Sequence, residues 1–130
     1  MKQALPLLAA LGALTLAGCA TLPEQSAPRH EGPAALGQAT YVDGPVVTPL
    51  QVIEDSRCPE NARCVWAGRL VLKVRITGGS SSSERNLILG EPSPLLDGRL
   101  TLISVTPERN TGRTFGPRDY RFTFEFQGGL

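Results

Sequence analysis

Three cysteines and one histidine carry most of the reactive chemistry open to this chain of 130 residues. Cys58 and Cys64 have five residues between them, Cys19 stands far upstream, and His30 is alone. The close pair could form a disulfide, act as redox thiols, or hold a metal together with Asp55. The spacing is not the C-x-x-C that sets a low-pKa thiol at a helix N-terminus. Two thiols with no histidine in the folded region complete a zinc site only by recruiting carboxylates. His30 falls in a Pro-rich stretch, so Ser-His-Asp and Cys-His chemistry is not expected of the domain. The GGSSSS run from Gly78 lacks the Lys and following helix of a phosphate loop. Asp55, Glu60, Glu91 and Asp97 could supply a carboxylate pair, but nothing in their positions selects one. The expectation is a protein that is not an enzyme and that needs neither cofactor nor metal.

Cys19 has a different context. Lys2 provides a positive start, Ala4 to Leu16 is apolar apart from Thr15, and the run closes on Leu16-Ala17-Gly18-Cys19. The run is too short to span a bilayer comfortably. It resembles the bacterial lipobox, in which a Leu and two small residues precede the cysteine that receives a lipid. The resemblance implies cleavage after residue 18, a diacylglyceryl thioether on Cys19 and acylation of its α-amine, a multi-chain anchor that does not leak from the membrane. Ala20, in place of an Asp, fits sorting to an outer membrane, with the protein facing the periplasm. In a chain routed out of the cytosol, Cys58 and Cys64 are expected to pair. Redox use of that pair is kept as an alternative.

Around that pair the sequence reads DSRCP, a short gap, then CVWAG. The string is similar to a motif of small bacterial lipoproteins that share the signal, linker and all-β region. The resemblance implies kinship of fold and an extracytoplasmic site, and it implies no substrate. Its positions here are Asp55, Arg57, Cys58, Pro59, Cys64, Trp66 and Gly68. Pro59 and Asn61 suit a tight turn. Asp55 and Arg57 are expected to form a local salt bridge that orients the loop. Trp66, two residues after Cys64 on the same strand face, is expected to cover the disulfide from within the core.

The elements that must position these residues are strands. Residues 19–38 carry Pro23, Pro28 and Pro33 with no apolar period and read as a tether, with a typical reach of roughly 23 Å. From residue 39 to 130 a single domain is expected. Tyr120, Phe122, Phe124 and Phe126 alternate with polar residues, the period of a strand with one wet face. Cys64 to Thr77 alternates likewise and reads as one long strand bent at Gly68. Gly78 to Ser83 reads as a flexible hairpin connection into Leu87-Ile88-Leu89. Further strands are expected at Tyr41-Val42, Leu50 to Ile53 and Leu100 to Val105. With five to seven strands and no helical period beyond the signal, the fold class is all-β, an antiparallel sandwich or small barrel.

Basic and acidic side chains number 13 and 12, a balance without the footprint of a nucleic-acid binder. The local exception is Thr106 to Arg118, long for a connection and rich in arginine. Arg109, Arg113 and Phe115 are its expected interaction residues, of types that bind anionic groups or partner proteins. The alternative for this segment is a solvated loop pinned by Phe115. The expected function is that of a lipid-anchored, non-catalytic envelope module, binding or structural, whose partners are the membrane, an envelope protein or an anionic ligand. An inhibitor that plugs an envelope hydrolase with rigid loops is the competing expectation.

Overall fold

The computed structural model describes residues 29–128 together with Gly12, Gly18 and Cys19. The expected signal peptide, residues 1–18, thus lies almost wholly outside the described residues, as do residues 20–28 of the expected tether. Strands β1 (Thr40–Tyr41), β2 (Val46–Asp55), β3 (Leu70–Gly78) and β4 (Ser81–Ile88) form an antiparallel sheet in the order β1-β2-β3-β4. Strands β5 (Ser93–Leu95), β6 (Gly98–Thr106) and β7 (Arg121–Gly128) form a second, in the order β5-β6-β7. The all-β antiparallel class expected from period-two patterning is the one observed.

One core lies between the sheets. Val47, Leu70, Leu72, Val74, Ile76 and Leu87 from the first meet Leu95, Leu100, Leu102, Val105, Phe122 and Phe124 from the second. Aliphatic side chains supply most of this burial, each worth about 1.5–3 kcal/mol when fully removed from water. The sides of the sandwich are stitched by backbone. Gly90 N–H donates to the Leu102 carbonyl at 2.9 Å, joining the end of β4 to β6. On the other side Ala34 exchanges two bonds with Phe122, and Gly37 donates to the Pro49 carbonyl of β2.

That second seam corrects the expected domain boundary. Ala34 is fully buried and Leu36 packs against the core, so the folded region begins near residue 30 and the last part of the expected tether belongs to it. Two apolar side chains in a short Pro-rich run suffice to capture it, because β7 offers unpaired edge donors and acceptors there. The hairpin expected at Gly78 to Ser83 is present, with a shorter loop than expected. Only Gly79-Ser80 is a turn, with Gly79 at φ +58°, while Ser81 to Ser83 pair with Ile76 to Gly78. A two-residue hairpin loop favours positive φ at that position, and the serines serve as wet edge-strand residues.

Register shifts shape the strand ends. One between Val52 and Glu54 leaves Ile53 half exposed, and one between Leu102 and Ser104 does the same for Ile103. Asp55 pairs with Leu70 and Thr106 with Arg121, so the 56–69 and 107–120 connections emerge at one end of the sandwich. The chain enters near the other end, where the His30 carbonyl accepts from Tyr41 N–H and Tyr41 pairs with Val46.

Candidate functional site

The two segments singled out in the sequence, Glu54 to Gly68 and Thr106 to Arg118, meet at that end. Asp55 closes β2, and Arg57 follows it with its guanidinium folded back. Arg57 Nε and Nη2 donate to the two Asp55 carboxylate oxygens at 2.8 and 3.0 Å. The same guanidinium also reaches the Val105 carbonyl at 3.3 Å and the Pro107 carbonyl at 3.2 Å, across to the second sheet. Tyr120 Oη donates to Asp55 Oδ2 at 2.8 Å. The expected local salt bridge is therefore present, and it also acts as a bolt between sheets. Bidentate geometry is what allows a nearly buried charge pair to keep its hydrogen bonds satisfied.

The electrostatics follow from that geometry. Burial pushes the Asp55 carboxyl up, but hydrogen bonds from Arg57 and Tyr120 and the adjacent positive charge outweigh it, leaving it below the usual carboxylate range. The hydrogen bond to Asp55 raises Arg57 further. Burial, then the hydrogen bond and charge of Asp55, push Tyr120 up to about 12.

Beyond the bolt, the two loops are laced together. Glu60 N–H donates to the Arg109 carbonyl and Arg109 Nη1 to the Arg57 carbonyl, both at 2.8 Å. Asn61 and Thr111 exchange two bonds, at 2.7 and 3.0 Å, and Asn110 donates to Glu60. Cys58 and Cys64 are disulfide-bonded, as expected. Pro59 caps this loop, its carbonyl accepting from Ala62 N–H.

Trp66 departs from expectation. It is 83% exposed and its neighbour Val65 is 92% exposed. The cause is the start of the sheet: β3 begins at Leu70, not at Cys64, so the alternation through Cys64, Trp66 and Gly68 does not continue a buried face. Gly68 sits at φ +67°, where a Cβ would overlap the Ser56 carbonyl. Only Gly accepts both the angle and the approach. Ser56 N–H still bonds the Arg69 carbonyl and Cys58 N–H the Ala67 carbonyl, so residues 56–69 form an ordered finger rather than a loose loop.

Arg109, Arg113 and Phe115 come together as well. With Asp55, Thr114 and Tyr120 they line a cleft of about 240 Å³ at the base of the finger. Phe115 meets Tyr120 edge to face at 5.1 Å, and Tyr120 stacks on Phe122 at 5.5 Å. Phe115 is thus pinned to the core by way of Tyr120. The sequence reading missed Tyr120 as a site residue because it stood in a core-strand pattern. The signal available was its hydroxyl, which needs a partner once the ring is partly buried. The exposed Val65 carried no signal at all. Compared with known proteins, the chain matches no family model, no curated protein and no solved structure.

Proposed function

We propose that this protein is a lipid-anchored, non-catalytic binding module of the bacterial envelope that engages a partner through the 56–69 finger. The observation that carries the reading is the exposure of Trp66 and Val65 on a segment held by a disulfide and by bonds to a second loop. An apolar pair on a mobile loop would fold inward. Here it is kept in water, and adjacent exposed apolar residues on a rigid support are a binding feature. Tryptophan is also the residue type that most often anchors an interface.

The same rigidity favours a second reading, an inhibitor that inserts the finger into the active site of an envelope hydrolase. Redox use of Cys58 and Cys64 has less support. The pair has the spacing C-x5-C and lies in a loop, not at the helix N-terminus where redox thiols of the C-x-x-C kind sit.

The test is crosslinking and recovery from intact envelopes, comparing the natural chain with Val65→Ser/Trp66→Ala. The binding reading expects a partner that is recovered with the natural chain and lost with the variant. Equal recovery by both would overturn the finger as the contact. If the partner is a hydrolase whose activity falls on addition of the natural chain, the inhibitor reading takes precedence.

A further inference from the structure

We propose that the cleft at the base of the finger binds a small anionic group, a carboxylate or phosphate, carried on an apolar or aromatic body. The inference deepens the binding reading by assigning a ligand chemistry to this end of the sandwich, and it rests on that reading for its biological setting only.

Charge is the first argument. Of the charged groups lining the cleft, Asp55 is already matched, since it accepts two bonds from Arg57 and one from Tyr120. Arg109 uses Nη1 on the Arg57 carbonyl. Among the described residues neither Arg109 nor Arg113 has a carboxylate partner, and Glu108, the one acid of the segment, does not line the cleft. Two guanidinium groups therefore face a small concavity without a counter-charge. Planar donors of this kind suit carboxylate and phosphate oxygens.

Shape is the second. The wall opposite is aromatic: the half-buried rings of Phe115 and Tyr120 stand at 85° to each other, so the cleft presents an apolar corner. Thr114 also lines the cleft. The volume has room for one ring and its acid group. A bare inorganic anion would leave the aromatic corner wetted and unused.

The position of the cleft argues against lipid headgroups of the anchoring membrane as the source. Cys19 and Arg29 are ten positions apart, at most about 35 Å when fully extended and typically about 17 Å. The chain enters beside β1, whereas the cleft lies beyond Asp55 at the far end of β2, about 23 Å away along the seven steps of β3 that pair with it. Standing the domain on its cleft end would stretch the tether beyond its typical reach. A soluble molecule, or the acidic end of a partner's chain, reaches the cleft without that cost.

The test is titration calorimetry on the full chain in neutral detergent with phenyl phosphate, inorganic phosphate, benzoate and benzyl alcohol, and with phosphatidylglycerol vesicles. Both aromatic anions should bind at least ten-fold more tightly than the alcohol. Arg113→Gln removes no contact that holds the fold, so its melting curve should be unchanged while anion affinity falls about ten-fold. Phe115→Leu should weaken phenyl phosphate more than inorganic phosphate. Equal affinity for benzyl alcohol, or an Arg113→Gln chain that binds like the natural one, would overturn the proposal. So would binding confined to phosphatidylglycerol vesicles with no soluble anion bound. Failure of the Trp66 recovery experiment would leave this titration standing, so the two readings fail separately.

Discussion

At the scale of single residues, stability is concentrated in the Asp55, Arg57 and Tyr120 cluster. Arg57→Ala would leave a nearly buried carboxylate without its main partner and two carbonyls, of Val105 and Pro107, without a donor. The expected loss is about 3 kcal/mol in denaturant unfolding, the scale of a broken buried pair. The cluster also sets the pH response. Asp55 is held below the usual carboxylate range, so its contribution is fully present above about pH 3.9. It is lost as pH falls through the lowered value. Tyr120 is raised to about 12, so its contribution is present below about pH 10. It disappears as pH rises toward 12. Tyr120→Phe should remove that alkaline limb and weaken the acid limb without abolishing it, because Asp55 keeps Arg57 but loses the Tyr120 hydroxyl; a pH series of melting curves would read both. Gly68→Ala is the sharpest backbone test. A Cβ there meets both a left-handed angle and the Ser56 carbonyl, and it should destabilise the fold by more than the roughly 1 kcal/mol of an ordinary Gly position.

At the scale of elements, the finger is the unit to perturb. With Cys58 and Cys64 replaced by Ser, the short closed loop predicts a loss of only about 2 kcal/mol, because the lacing by Asn61, Thr111 and Glu60 to Arg109 remains. The domain should stay folded by circular dichroism, while amide exchange between residues 58 and 67 speeds up. A collapse of the whole domain would mean that the disulfide, and not the lacing, holds the finger. This element also marks the limit of what the sequence discloses. The strands were legible because side chains must alternate between core and water, and β7 and the stretch of β3 from Leu70 fall where that alternation is clean. Trp66 was misread because alternation does not say where a ladder ends. The event that ends it is the left-handed turn at Gly68 against Ser56, a contact between residues twelve apart. The Asp55–Arg57 pair was legible from its spacing. Its second job was not, since the carbonyls of Val105 and Pro107 lie some fifty residues away. Neither was the meeting of the arginine-rich segment with the cysteine motif, which depends on which strand ends share one end of the sandwich.

At the scale of the molecule, the domain has two distinct ends, and the proposed lipid would attach by way of the one remote from the finger. Among the described residues no helix is long and apolar enough to cross a membrane, and Cys19 is a free, exposed thiol. If the lipid on Cys19 is the anchor, Cys19→Ser should move the protein out of salt-washed membranes, and retention there would remove the lipobox reading. The polarity then makes a separate prediction about the finger. Trp66 is the single tryptophan of the chain, so its emission reports on one place. With the tether entering beside β1 and Trp66 beyond the far end of β2, the indole should stand in water, tens of ångströms from the bilayer. In nanodiscs carrying the lipidated full chain, aqueous iodide should quench its emission strongly, whereas brominated acyl chains should leave it unchanged. A blue-shifted emission quenched by brominated lipid would show the finger inserted into the anchoring membrane. That result would replace a protein partner with the bilayer itself.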